Sequence, residues 1–316
     1  MSKSIKSLLR ISVAVALIST IFTCYASPHN GFDLSNSTID TSLILAGGPA
    51  KDGIPAIDQP KFIAAKDAQY LKPVDRILGI QMNGISKAYP IAILNWHEIV
   101  NDDINGSKFS ITYCPLCGTG VAFSSTVKDK TLNFGVSGLL YNSDVLLYDR
   151  QTESLWSQIK SQAISGELQG EKLTRLPITH TSWSNWKKTH PETLVMSDQT
   201  GFSRDYSRDP YSGYEQSRAT YFQVTNKAPD YYHPKERVLG LEINNVFKAY
   251  PFSEIDKANS ALLTDNFAGR TFNIHWDKQN QQASITDSSG KPMMAIEGFW
   301  FAWFAFHPDT EVFKPE

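Results

Sequence analysis

The chain has 316 residues, with 30 lysines and arginines against 32 aspartates and glutamates, so its formal net charge is −2. A balance this close to neutral is poorly suited to binding phosphate backbones, and we expect no nucleic-acid partner. Hydrophobic residues make up 41% of the chain, which is typical of a globular protein with a large core. Because its 19 glycines and 16 prolines favour many turns between short strands, we predict a mostly β protein.

The first 26 residues have the layout of a secretory signal peptide. Lys3, Lys6 and Arg10 precede an apolar stretch at residues 11–22, which is too short to span a bilayer. The triplet at residues 24–26 fits signal peptidase and predicts cleavage after it, with acylation of its leading cysteine as the alternative. We therefore expect a periplasmic or secreted protein with no membrane span after cleavage.

Two stretches of the chain repeat each other. Residues 76–90 and 237–251 are identical at eight of fifteen positions, against about one expected by chance. Both alternate apolar and polar residues around an Asn-Gly or Asn-Asn pair, which predicts a β-hairpin in each. The pattern Trp-x-x-Trp-x-x-x-His-Pro occurs at residues 183–191 and again at 300–308. The repeat predicts an α+β, mostly β fold of two related β-rich halves that arose by internal duplication.

We expect five parts along the chain. They are a signal peptide at 1–26, an extended lead-in at 27–59, a first repeat half at 60–205 with the Cys motif and an insertion, a connecting segment at 206–235, and a second repeat half at 236–316 without the Cys motif. The insertion falls mainly between residues 123 and 170, where two apolar runs predict extra strands. Its place in the half that carries the Cys motif suggests a lid over the site.

Cys114 and Cys117, in Cys-Pro-Leu-Cys-Gly, are the two cysteines expected in the mature chain. A C-x-x-C pair places two thiols close enough to share one metal ion or to form a small disulfide ring. The second half has no such pair, and Ala258 stands there in the place of His97. We expect His97 on the inward face of a short helix and Glu98 in solvent.

Three kinds of chemistry remain open for this pair. The first is a soft-metal site for copper or zinc. Its ligands would be Cys114, Cys117, His97 and His307, with His190 or Asp144 as alternative donors. The second is thiol–disulfide exchange, with Cys114 and Cys117 as the catalytic residues. The third is a permanent structural disulfide without catalysis, so the sequence leaves open whether the protein is an enzyme.

Several motifs together are similar to those of one known family. They are Leu-Asn-Trp-His-Glu-Ile-Val at residues 94–100, Thr-Tyr-Cys-Pro-Leu-Cys-Gly at 112–118, Gly-Leu-Leu-Tyr-Asn-Ser-Asp at 138–144, Thr-Gly-Phe-Ser-Arg-Asp-Tyr at 200–206 and Phe-Ala-Trp-Phe-Ala-Phe-His-Pro at 301–308. The combination resembles domain-of-unknown-function family 3179, from about residue 60 to the end. This resemblance implies an exported bacterial or archaeal protein in a family without an established activity.

Overall fold

The computed structural model describes residues 28–315, which form five large β-sheets arranged as a five-bladed β-propeller. Strands account for 40% of the chain and helices for 11%, so the prediction of a mostly β protein is confirmed. The predicted signal peptide, residues 1–26, lies outside the described residues.

The strands are short, and most of them pair with a neighbour along the chain. Up to residue 165 they are β1 (Ile44–Ala46), β2 (Phe62–Ala64), β3 (Arg76–Met82), β4 (Ile85–Pro90), β5 (Ile99–Ile104), β6 (Ser107–Cys114), β7 (Thr119–Ser124), β8 (Thr126–Val127), β9 (Lys130–Thr131), β10 (Phe134–Tyr141), β11 (Asp144–Asp149), β12 (Leu155–Ser157) and β13 (Gln162–Ser165). After it they are β14 (Arg175–Leu176), β15 (Thr179–Ser182), β16 (Leu194–Met196), β17 (Arg237–Ile243), β18 (Val246–Pro251), β19 (Leu262–Phe267), β20 (Arg270–Asp277), β21 (Gln282–Asp287), β22 (Ile296–Phe299) and β23 (Glu311–Val312).

Four helices of six or seven residues connect strands. They are α1 (Ile91–His97), α2 (Trp183–Thr189), α3 (Phe252–Lys257) and α4 (Trp300–Phe306). Pro90 and Pro251 occupy the N-cap positions of α1 and α3 at φ near −65°. This fixed φ ends each preceding strand and places the next residue at the start of a helix.

Each sheet forms one blade. Blade 1 has the strand order β1-β10-β11-β12-β13, blade 2 has β14-β7-β6-β5, blade 3 has β15-β3-β4-β16-β2, blade 4 has β22-β17-β18-β23, and blade 5 has β19-β20-β21. Strands β8 and β9 form a separate small ribbon. β1 pairs with β10 in blade 1, and β2 pairs with β16 in blade 3. The segment at residues 27–59, predicted to be an extended lead-in, therefore contributes β1 to a sheet.

The predicted arrangement as two related halves is wrong. The sheets form five blades, and the two repeated stretches lie in different ones: β3 and β4 in blade 3, β17 and β18 in blade 4. The expected insertion supplies β10–β13, which build most of blade 1, and the small ribbon of β8 and β9. A sequence repeat reports which local strand pairs resemble each other, but it does not fix how many sheets surround them.

The repeated residues nevertheless make the same local contacts in both places. The indole of Trp186 lies over Gly79, and that of Trp303 lies over Gly240, so neither glycine leaves room for a side chain. Each indole N–H then donates to a threonine hydroxyl at 2.9 Å. The repeat in the sequence therefore corresponds to a shared packing unit on two blades.

The largest hydrophobic core lies between blades and includes both cysteines of the Cys motif. It joins them to Leu147 and Trp156 of blade 1 and to Phe299 of blade 4. Within residues 28–315, no helix is both long and apolar enough to cross a membrane.

Candidate metal site

The Cys motif forms the turn between β6 and β7 of blade 2. Cys114 ends β6, and the backbone N–H of Cys117 donates to its carbonyl oxygen at 3.2 Å. Gly118 then takes a φ of +62°, in the left-handed region that glycine enters without steric penalty. Both thiols are free, and both cysteines are fully buried. The turn therefore presents two sulfur atoms to the protein interior and none to solvent.

Asp144 brings a carboxylate to the two thiols from another blade. It is the first residue of β11, directly after a tight turn in which Asn142 and Ser143 both have positive φ. Ligand atoms of Cys114, Cys117 and Asp144 all lie within 4.8 Å of one another. Among residues 28–315, these three form the one group of at least three Cys, His, Asp or Glu side chains that are close enough to hold a metal ion. The site is thus built at the contact of blades 1 and 2.

A backbone hydrogen bond holds the Asp144 carboxylate, and a network of polar side chains lies beside it. The backbone N–H of Ile159 donates to Oδ2 at 3.1 Å, and the hydroxyl of Thr119 lies 3.4 Å from Oδ1. That hydroxyl donates to Gln158 Oε1 at 2.6 Å, while Gln158 Nε2 donates to Thr112 Oγ1 at 2.8 Å. Such outer partners hold ligating carboxylates in one orientation.

Glu98 lies inside the protein, contrary to the prediction that it is in solvent. It is only 7% exposed. Helix α1 ends at His97, and the next residue has φ +58° and ψ −31°, which turns its side chain away from the helical periodicity. Within the described chain its carboxyl group makes no hydrogen bond. No signal in the sequence marks this conformation, because glutamate rarely adopts a positive φ.

Burial governs the electrostatics of the four acidic groups. It raises the pKa of Asp144 to about 7, and burial together with the charge of Asp144 raises the pKa of Glu98 to about 8. Burial also raises the pKa of both thiols. The remaining influences on these pKa values are hydrogen bonds and the groups' own mutual charges, with no cationic side chain among them. A cluster of this kind favours a bound cation, which would stabilise the ionised forms.

His97 does not join this group. Its Nδ1 lies 2.7 Å from the carbonyl oxygen of Pro55, and its Nε2 lies 2.7 Å from the hydroxyl of Tyr206. Both ring nitrogens therefore have hydrogen-bond partners, and the ring also contacts that of Phe202 at 5.0 Å. Burial lowers the pKa of His97, so the ring is held neutral.

The histidines of the two His-Pro turns each stack on an aromatic ring. His190 stacks on Trp186 with ring centroids 3.8 Å apart, and His307 stacks on Phe247 at 3.9 Å. Burial lowers the pKa of His307 to about 3. Neither histidine is among the mutually close ligand atoms, whereas Asp144, which the sequence offered as an alternative donor, is.

Most of the chain matches a known protein family. The family described as "Protein of unknown function (DUF3179)" matches residues 51–310. The chain belongs to the DUF3179 family. This confirms the resemblance drawn from the sequence motifs. The matched span of this DUF3179 protein contains Glu98, the Cys motif and Asp144. No curated protein and no solved structure matches the chain.

Proposed function

We propose that this protein binds a zinc ion through Cys114, Cys117 and Asp144. The observation that carries the proposal is that two sulfur atoms and a carboxylate oxygen lie within 4.8 Å of one another in a buried site. In a tetrahedral zinc site with Zn–S distances of about 2.3 Å, two sulfurs are roughly 3.8 Å apart. Zinc binding in this geometry therefore requires the three side chains to close from separations of up to 4.8 Å.

The carboxylate favours zinc over copper. Zinc accepts thiolate sulfur and carboxylate oxygen together, while copper(I) prefers thiolate, thioether and imidazole ligands. The group contains no imidazole, because the nitrogens of His97 are hydrogen-bonded to Pro55 and Tyr206. Copper would have to accept an oxygen ligand that it binds less well.

Three protein ligands leave a fourth position at a tetrahedral ion. Zinc sites of this kind hold water or substrate there and are typical of catalytic sites, whereas structural sites use four protein ligands. Glu98 lies beside the Cys turn, because the backbone N–H of Tyr113, next to Cys114, donates to its carbonyl oxygen at 2.7 Å. We propose its carboxyl group as the acidic neighbour of this fourth position. Strained backbone at such a residue is a common property of functional sites.

The observed surroundings count against thiol–disulfide exchange. Attack on a disulfide requires a thiolate, and exchange catalysts lower the pKa of that thiol, commonly with a helix N-terminus. Here burial raises the pKa of Cys114, and strand β7 follows the turn in place of a helix. Both thiols are also shielded from any protein partner.

We also propose that the protein works outside the cytoplasm, after export directed by residues 1–26. The support for this is the charged, apolar and small-residue order of the amino terminus. In an oxidising compartment a free C-x-x-C pair is prone to disulfide formation, and a bound zinc ion would keep both sulfurs as thiolates.

Metal analysis of the purified protein tests the zinc proposal. We expect about one zinc ion per chain after zinc loading and removal of excess metal, and little in Cys114→Ser or Asp144→Asn. Asp129→Asn is the matched control, because Asp129 is exposed and is not one of the mutually close ligand residues. Circular dichroism establishes that each variant is folded. A folded wild-type protein that takes up neither zinc nor copper would overturn the proposal; copper in place of zinc would overturn the choice of metal.

A further inference from the structure

A second site lies beside the Cys motif. A cavity of about 600 Å³ is bounded on one side by Tyr113 and Pro115 and on another by Tyr211 and Tyr214. The first pair flanks Cys114 in sequence, and the second pair belongs to the long segment that follows β16. Neither cysteine lines the cavity, and nor does Asp144, so this space is adjacent to the metal site and separate from it.

Three tyrosine hydroxyls at this cavity have no hydrogen-bond partner among the described residues. Tyr214 is 2% exposed, and its hydroxyl is buried without a partner. The hydroxyls of Tyr113 and Tyr211 make no hydrogen bond within residues 28–315. In contrast, the hydroxyls of Tyr70 and Tyr206, which also line the cavity, are both hydrogen-bonded within the protein.

A buried polar group without a partner needs an explanation. Leaving one unpaired destabilises a protein by about 1–3 kcal/mol, so native structures rarely do so without a bound molecule. Tyr214 and Tyr211 line the same cavity as Tyr113 and Pro115, the two residues that flank Cys114. The hydroxyls without a partner therefore belong to a cavity that borders the Cys motif.

The charges around the cavity indicate what kind of molecule it suits. Its lining carries four cationic and five acidic side chains, which nearly balance. A strongly anionic ligand would meet the acidic groups, a cationic ligand would meet the arginines, and an apolar ligand would leave the tyrosine hydroxyls unpaired. A neutral molecule with many hydroxyl groups avoids all three difficulties, because each of its hydroxyls both donates and accepts.

We propose that this cavity binds a neutral saccharide, one or two sugar rings in size. Its volume lies within the range of small-molecule sites, roughly 300–1,000 Å³. Tyr113, Tyr211 and Tyr214 hydrogen-bond the sugar hydroxyls, and their rings pack against the apolar faces of the sugar. The proposal goes beyond metal binding and does not require it, because the two sets of residues are distinct.

Saturation-transfer NMR and calorimetry with free sugars test this proposal on the full-length protein. The probes are glucose, galactose, mannose and N-acetylglucosamine, their disaccharides, and longer oligosaccharides. We expect saturation transfer to at least one monosaccharide or disaccharide. Tighter binding of the longer chains identifies the end of a polysaccharide as the source, and equal binding identifies a free sugar. No transfer to any probe at roughly 10 mM would overturn the proposal.

Variants separate this site from the metal site. Tyr214→Phe removes one hydrogen bond to the ligand and is expected to weaken saccharide binding about 3- to 10-fold while zinc uptake stays unchanged. Tyr231→Phe is the matched control, because Tyr231 is exposed and outside the cavity lining. Asp144→Asn is expected to lose zinc and keep saccharide binding. Saccharide binding that is insensitive to both Tyr214→Phe and Tyr211→Phe would place the sugar elsewhere and overturn the assignment.

Discussion

The backbone N–H of Phe299 donates to the carbonyl oxygen of Cys117 at 2.7 Å, which joins blade 4 directly to the Cys turn. The Phe299 ring also occupies the space where a side chain on Gly118 would lie, since a Cβ there would be 2.8 Å from ring carbons. The Cys turn is therefore held by contacts from blades 1 and 4 in addition to its own blade.

Gly118→Ala is expected to destabilise the protein by about 2–4 kcal/mol. The alanine would be strained by the positive φ, and its Cβ would clash with the Phe299 ring. Gly106→Ala is the control, because Gly106 has a positive φ but open space around its Cα, and it should cost about 1 kcal/mol. Urea unfolding measures both. Equal losses in the two variants would show that the Phe299 contact is unimportant.

Glu98→Gly is expected to stabilise the protein by about 1 kcal/mol in the absence of metal. Glycine adopts the observed φ of +58° without strain, and the change removes a buried carboxyl group that has no hydrogen bond in the described chain. Glu98→Gln keeps the strain and removes only the ionisable group. A loss of stability in Glu98→Gly, measured by chemical unfolding, would contradict a strained and functional position.

The pH dependence of stability should include a contribution from Glu254. Burial opposes ionisation of this residue, but hydrogen bonds from Lys314 and Tyr232 outweigh it and hold its pKa at about 2, below the ordinary 4.5. A lowered folded-state pKa adds stability above pH 4.5, and this is lost as the pH falls through about 2.

Chemical unfolding measured from pH 7 to pH 2 tests whether this contribution to stability is lost as the pH falls. Glu254→Gln should lower stability at pH 7 by about 1–3 kcal/mol, and the difference from wild type should shrink with acidification. Glu192→Gln, at an exposed position, is the control and should change little. A difference that grows towards low pH would contradict the ion-pair account.

The two indole–threonine hydrogen bonds should differ in strength. Thr193 is buried, whereas Thr310 is only half-buried, although both accept from an indole N–H at 2.9 Å. Thr193→Val leaves a buried N–H unpaired and should cost about 1–3 kcal/mol, and Thr310→Val should cost less because water can replace the hydroxyl. Thermal unfolding compares the two. A larger loss at Thr310 would show that burial does not set the difference.

Zinc should stabilise the folded protein through the proposed ligands. A ligand at 100 times its Kd that binds only the folded state adds about 2.7 kcal/mol to the free energy of unfolding. We expect this increase for wild type and its absence for Asp144→Asn. Unfolding with and without zinc provides the measurement, and an equal increase in both proteins would place zinc at another site.

The sequence was sufficient to predict β content, the family and the position of the Cys pair, because these depend on local patterns. The hairpins at Asn83-Gly84 and Asn244-Asn245 form as expected from their turn residues. The number of blades could not be predicted in this way. The repeat describes a packing unit centred on Trp186 and Trp303, whereas blade 1 comes from a stretch that has no copy.

The residues of the site could be predicted only in part, for a related reason. Asp144 reaches Cys114 through the contact of two blades, and no spacing rule in the sequence connects residues 30 positions apart. Glu98 was misplaced because helical periodicity was extended one residue too far. The positive φ at that residue is a tertiary effect, imposed where α1 meets β5.

X-ray absorption spectroscopy at the zinc edge tests the central claim most directly. For the zinc-loaded wild-type protein we predict two sulfur neighbours at about 2.3 Å and oxygen neighbours at about 2.0–2.2 Å. A spectrum with no sulfur neighbours, or with imidazole nitrogen in the place of carboxylate oxygen, would contradict a site made of Cys114, Cys117 and Asp144.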